Sequence, residues 1–150
     1  MHRTHLITGL LAAAVLATAA GCGDDDKKPA ALSKRAYVKQ ANAICGASSK
    51  KLDADVGRRL AGGEPTPAQL KTVVDDIVLP SIRQELKQLR ALPAPTGDEE
   101  TVEAIYDASD AALSKVKADP STVVDESANG PFADANQKAT AYGLTVCGAT

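Results

Sequence analysis

Apolar residues recur at helical spacing through most of the chain after residue 33, with no convincing strand-like alternation. Ser33 suits a helix N-cap. Tyr37, Val38, Ala41, Ile44, Cys45, Ser48, Leu52, Val56 and Leu60 then follow three and four positions apart until Gly62-Gly63. At 100° per residue they share one broad face, with Cys45 near its centre, so that cysteine is expected to point into a core. Thr66-Pro67 opens a second helix as cap and first residue, with Leu70, Val73, Val74 and Ile77 as its stripe. The stripe resumes after Pro80 at Ile82, Leu86 and Leu89. The five-residue step from Ile77 to Ile82 would turn the apolar face by about 100°, at a point where proline removes a backbone hydrogen bond. One helix with a kink or brief break at Pro80 is therefore expected.

Pro93-Ala94-Pro95-Thr96-Gly97 stops that helix, and Asp98-Glu99-Glu100 suits the positive end of the next. Val102, Ile105, Tyr106, Ser109, Ala112, Leu113 and Val116 line one face of it, and Asp119-Pro120 ends it. Only a short turn of helix around Thr122 to Asp125 is expected before Gly130. Pro131 opens a last helix through Phe132, Ala135, Ala139 and Tyr142, with Gly143 as its left-handed stop. Leu144 to Cys147 should then return to helix one in extended form. The expected fold is all-α, a small four-helix bundle with a kinked second helix.

The first residues change the picture of where this domain resides. Met1 to His5 carry Arg3, Leu6 to Ala20 are uncharged, and Gly21-Cys22 is followed by Asp24, Asp25 and Asp26. A short cationic head and an apolar run too short to span a membrane comfortably are the parts of an export signal. Its end, Ala19-Ala20-Gly21-Cys22, resembles the bacterial lipobox, although the third residue before the cysteine is more often Leu than Ala. That resemblance implies a diacylglyceryl group on Cys22 as the one covalent addition, with no other cofactor. The competing expectation is ordinary cleavage after Ala17-Thr18-Ala19. The expected organisation is a signal peptide over 1–21, a lipidated tether over 22–32 and a helical domain over 33–150. A tether of ten residues reaches at most about 35 Å, which keeps the domain close to the membrane.

The chain has three cysteines, and an odd number in an exported protein needs an explanation. Lipidating Cys22 leaves Cys45 and Cys147 as a pair. Outside the cytoplasm such a pair oxidises, and closing a loop of about 100 residues stabilises by roughly 4 to 5 kcal/mol on the chain-entropy account. A metal site is the alternative, but two cysteines with no histidine nearby make a poor one.

Composition narrows the chemistry. Both histidines, His2 and His5, lie within the expected signal, so the mature chain has no histidine for Ser-His, Cys-His or metal-histidine catalysis. No phosphate-cradling Gly-x-x-x-x-Gly-Lys-Ser/Thr occurs. The carboxylates Asp53 and Asp55, Asp75 and Asp76, and Asp98 to Glu100 remain for acid–base work, but they fall on solvent-facing sides or at a helix start. The chain lacks Trp, which disfavours sugar binding, and its net charge of −2 disfavours nucleic acid. Charge is unevenly placed. Residues 33–62 carry seven cations against two carboxylates, and 97–130 carry nine carboxylates against two lysines. The basic side of helix one either rests on anionic lipid or is offset by the acidic segment across the bundle.

Ala41-Asn42-Ala43-Ile44-Cys45 early in the domain and Tyr142-Gly143-Leu144-Thr145-Val146-Cys147-Gly148 at its end resemble the ends of a group of small actinobacterial lipoproteins and secreted proteins. Pro80, Ala91-Leu92-Pro93-Ala94-Pro95, Asp119-Pro120 and Pro131-Phe132 follow the same order. The resemblance implies an exported helical domain with a terminal disulfide, and it transfers no catalytic residues. The expectation is a monomeric, non-catalytic lipoprotein on the outer face of the cytoplasmic membrane, facing an envelope protein partner. The alternative is a carrier holding a small apolar ligand or lipid in a bundle opened near Pro80.

Overall fold

The computed structural model describes residues 30–61, 64–125, 127 and 130–149. The signal, the triple aspartate and Cys22 lie outside that range, as does the Gly62-Gly63 pair. Helix α1 spans Lys34–Arg59. The Ser33 hydroxyl accepts from the Ala36 N–H at 3.3 Å, and Arg58 and Arg59 occupy the last turn, where the helix dipole favours cations. Only Tyr37, Ala41 and Cys45, each four residues from the next, are fully buried; the expected stripe beyond Cys45 is half-buried.

Helix α2 runs through three consecutive pieces: α-helical Pro67–Val73, π-helical Val74–Val78 and α-helical Leu79–Arg90. It starts with a full capping box. The Gln69 N–H donates to Thr66 Oγ1 at 3.3 Å, and the Thr66 N–H donates to Gln69 Oε1 at 2.9 Å.

The second helix runs on through Pro80 as one helix, as expected, but its apolar face does not turn there as the five-residue step would suggest. The chain does not break: Val73, Val74, Val78 and Leu79 all keep right-handed helical dihedrals. A single wide turn takes up the extra residue, with the Leu79 N–H donating to the Val74 carbonyl five residues back. Residues five apart then stack on one face, so the buried pair Val73/Val74 is continued by Val78/Leu79. The apolar face stays in register instead of turning away, and Ile77 and Ile82 are left half-buried. The wide turn also gives the Pro80 ring space that a regular α-turn would deny it.

Helix α3 spans Glu99–Ala118 and buries Val102, Ile105, Tyr106, Ala112, Leu113 and Val116, with Ser109 half-buried as its hydroxyl donates to the Ile105 carbonyl. A 3₁₀ segment at Pro120–Val124 follows, opened by Asp119, whose carboxylate accepts from the Ser121 N–H at 3.0 Å. Helix α4 spans Ala133–Tyr142. Gly143 stops it at φ 109°, its N–H shared between the Ala139 and Thr140 carbonyls.

The expected extended return after Gly143 is corrected as well. Leu144 plunges into the core, the Gly148 N–H donates to the Leu144 carbonyl, and Cys147–Ala149 close as a 3₁₀ turn. This turn lies so close to α4 that a Cβ on Gly148 would fall 2.2 Å from Thr140 Oγ1 and 2.7 Å from the Asn136 carbonyl, so glycine is required there. The four helices are closed by the Cys45–Cys147 disulfide, with a Cα–Cα distance of 5.1 Å across 102 positions. No strand occurs among the described residues.

α1 and the second half of α2 lie antiparallel. At one end the Leu32 N–H reaches the Pro93 carbonyl at 3.4 Å, in the middle Ser48 lies beside Glu85, and at the other end Arg59 faces Asp76. Every buried side-chain nitrogen and oxygen among the described residues has a partner.

Candidate functional site

Two constellations stand out, one at each end of α1. The first surrounds the disulfide. Cys45 is fully buried and Cys147 half-buried. Asn42, one turn before Cys45, holds the returning segment at two points. Its amide donates to the Gly143 carbonyl at 3.3 Å and its oxygen accepts from the Val146 N–H at 2.9 Å.

Three tyrosines pack beside this clamp. Tyr37 meets Tyr142 edge-on at 6.1 Å, and its hydroxyl hydrogen-bonds that of Tyr106. The Tyr142 hydroxyl donates to Asp98 at 2.7 Å, and Lys34 lies both 4.1 Å from the Tyr142 ring centre and 3.6 Å from Asp98. Arg90 lies over the Tyr106 ring at 5.2 Å while bonding Asp110 at 2.8 Å. Burial, then the bond to Tyr37, pushes the Tyr106 hydroxyl far up. Burial, then Asp98, does the same to Tyr142, and burial raises Tyr37. All three therefore hold their protons at physiological pH and serve as hydrogen-bonding wedges.

The second constellation is an open groove of about 740 Å³ between the distal half of α1 and the π-turn side of α2. Ile44, Ala47, Ile77 and Pro80 supply its apolar lining, and Ser48, Ser81, Gln84 and Gln88 its hydroxyls and amides. Lys51, Arg58, Arg59, Asp55 and Asp76 supply its charge. Asp55 binds both Lys51 and Arg58; the Lys51 bond is the main reason its carboxyl is held below the ordinary range. Arg59 and Asp76 stand 4.0 Å apart. Beside the groove Glu85 is half-buried, and burial pushes its carboxyl up, partly countered by the Ser48 hydroxyl.

The sequence-expected sites fare differently. Cys45 and Cys147 are joined, Pro80 lines the groove, and Cys22 lies outside the described residues. The carboxylate pairs considered for acid–base work are separately engaged. Asp75 pairs with Lys71 at 2.5 Å, Glu99 accepts from the Gly97 N–H at 2.6 Å, and Asp98 serves Tyr142 and Lys34. Among the described residues no group of His, Cys, Asp or Glu is arranged to hold a metal ion, and no helix is long and apolar enough to cross a membrane. The tyrosine chain escaped the sequence reading, which offers an opening near Pro80 only as the alternative, because each site joins residues from different helices. The four-residue spacing of Lys51, Asp55 and Arg59 is a signal for the groove's charged wall, and the five-residue step before Pro80 reads as a change of face.

No family model, curated protein or solved structure matches this chain.

Proposed function

We propose that this chain is an exported lipoprotein, anchored through Cys22 to the outer face of the cytoplasmic membrane, whose helical domain binds an envelope partner and does no chemistry itself. The observation that carries this reading is the Cys45–Cys147 disulfide. Such a bond persists in oxidising surroundings, and it accounts for two of three cysteines, leaving Cys22 behind an export-like leader as the one free for lipid. A binding role is supported by the ion pairs that hold Asp55 and Asp75 and by the retained protons of the tyrosines.

The other reading, a carrier of a small apolar ligand or lipid in the bundle interior, draws on the groove beside Pro80. That groove is open and charged, whereas the residues facing the interior pack against one another as a single cluster. The binding module is therefore preferred.

The test is intact-mass measurement on the protein from the membrane fraction of its own host, before and after reduction. The expected species begins at Cys22, carries acyl mass there and gains two hydrogens on reduction. A chain found in the culture medium and cut after Ala19, with Cys22 unmodified, would overturn the anchor. Extra non-covalent apolar mass that survives gentle release would favour the carrier.

A further inference from the structure

We infer that the groove between α1 and α2 is a docking site for an extended acidic peptide segment of a partner protein; this deepens the binding-module reading and rests on it. The accessible charge of the groove is mixed with a cationic excess, Lys51, Arg58 and Arg59 against Asp76, whose side chain is 65% exposed. The Lys51 and Arg58 side chains are 74% and 73% exposed, whereas Asp55, which tethers both, is 19% exposed. Asp55 thus holds two cations in place from below while leaving their faces to solvent. Arg59 adds a third, paired with Asp76 only at the outer limit of an ion pair.

Lys50 on α1 and Arg83 and Lys87 on α2 are exposed and adjacent in sequence to lining residues, as are the exposed Asp75 and the half-buried Glu85 on α2. Five further acidic residues lie on α3, where Arg90 spans Glu103 and Asp110. The groove thus carries three cations against the two carboxylates Asp55 and Asp76, an excess of positive charge that favours an anionic partner.

Shape and lining select among anionic occupants. From Ile44 to Arg59 the α1 wall rises about 22 Å, the span of six or seven extended residues. Ser48 on α1 and Ser81, Gln84 and Gln88 on α2 match a backbone that must satisfy its own N–H and C=O groups, and suit an acyl chain poorly. The lining contains no aromatic ring on which a sugar would stack. The π-turn brings Asp76 and Ile77 to this lining, and such turns often mark binding sites in helices. Long cations at the rim with a short apolar strip between them suit acidic side chains alternating with small apolar ones.

The experiment uses the full mature protein in detergent micelles and a fluorescein-labelled Glu-Ala-Glu-Ala-Glu-Ala-Glu peptide, read by anisotropy at about 0.15 M salt. The combined Lys51→Gln, Arg58→Gln, Arg59→Gln variant is expected to weaken binding about tenfold or more, as three well-placed charges would. An equal charge change away from the groove, Arg35→Gln, Lys39→Gln and Lys117→Gln, should change it less than about twofold. Ala47→Trp, which narrows the groove without altering charge, should also weaken binding. Circular dichroism confirms that each variant is folded. Equal loss with both charge variants, no binding of the peptide, or a groove-dependent preference for phosphatidylglycerol vesicles over the peptide would each overturn the inference. The mass of the same preparation separates the two proposals. Lipidated protein that ignores the peptide sinks the groove alone, and peptide binding by unlipidated protein sinks the anchor alone.

Discussion

The two halves of α1 are built to opposite rules. From Tyr37 to Cys45 every fourth residue is completely buried, the neighbouring polar groups are all spoken for, and a covalent bond fixes the partner segment. From Ser48 to Arg59 no residue is fully buried, and the facing wall offers a π-turn, a proline and an open groove. The same helix therefore joins a rigid, closed end to a solvated one. Stability is concentrated at the closed end, so surface residues at the distal end are free to vary with little cost to the fold.

The sharpest way to break that comparison is to remove the disulfide. With Cys45→Ala and Cys147→Ala the chain should lose up to roughly 4 to 5 kcal/mol, read as a lower midpoint in denaturant. Amide exchange should accelerate first in Tyr142 to Cys147, with the Thr66–Val78 region changing least. Uniform acceleration across α2 and α4 would show that the two ends are one cooperative unit and that the contrast is false.

A matched pair of truncations gives the next largest effect. Leu144→Ala, at the closed end and 1% exposed, should cost about 3 kcal/mol, and half-buried Ile77→Ala at the groove about 1 kcal/mol. Comparable costs measured by urea unfolding would erase the difference between the ends.

The smallest effect sharpens the picture at the boundary, where Glu85 meets Ser48. Burial raises the folded-state pKa of Glu85 above its ordinary 4.5, so the folded form holds the proton more tightly than the unfolded one. Its contribution is favourable below pH 4.5 and is lost as pH rises through the raised value. Glu85→Gln should therefore be the more stable protein at pH 7 and the gap should shrink in acid. Asp55, whose pKa moves down, acts in the opposite sense in both proteins and cancels from the difference. A gap independent of pH would mean that Glu85 is not desolvated.

The closed end was largely legible in the sequence. The i, i+4 run of Tyr37, Ala41 and Cys45 and the Gly143 stop each express a local rule that the structure obeys. Pairing of Cys45 with Cys147 followed from counting cysteines. The distal end was read less well. A five-residue step is a change of face in an α-helix but continuity in a π-turn, and Val78 and Leu79 were missed because regular periodicity places them off the stripe. The extended return of Leu144 to Cys147 was expected because four residues carry no period. Burial of Leu144 and the fit of Gly148 against Thr140, both set by tertiary contacts, decide the turn instead. Lys34 meeting Asp98, and Arg59 facing Asp76, depend on how the helices seat against one another, which no spacing rule encodes.

The placement of the disulfide has a mechanical consequence. A pull applied between the segment before α1 and the residues after Cys147 runs along the first three turns of α1, crosses the sulfur bridge and leaves. The 102-position stretch between the two cysteines lies outside that load path, so tension on the ends bypasses α2, α3 and the groove, which keep their shape while the chain is under strain.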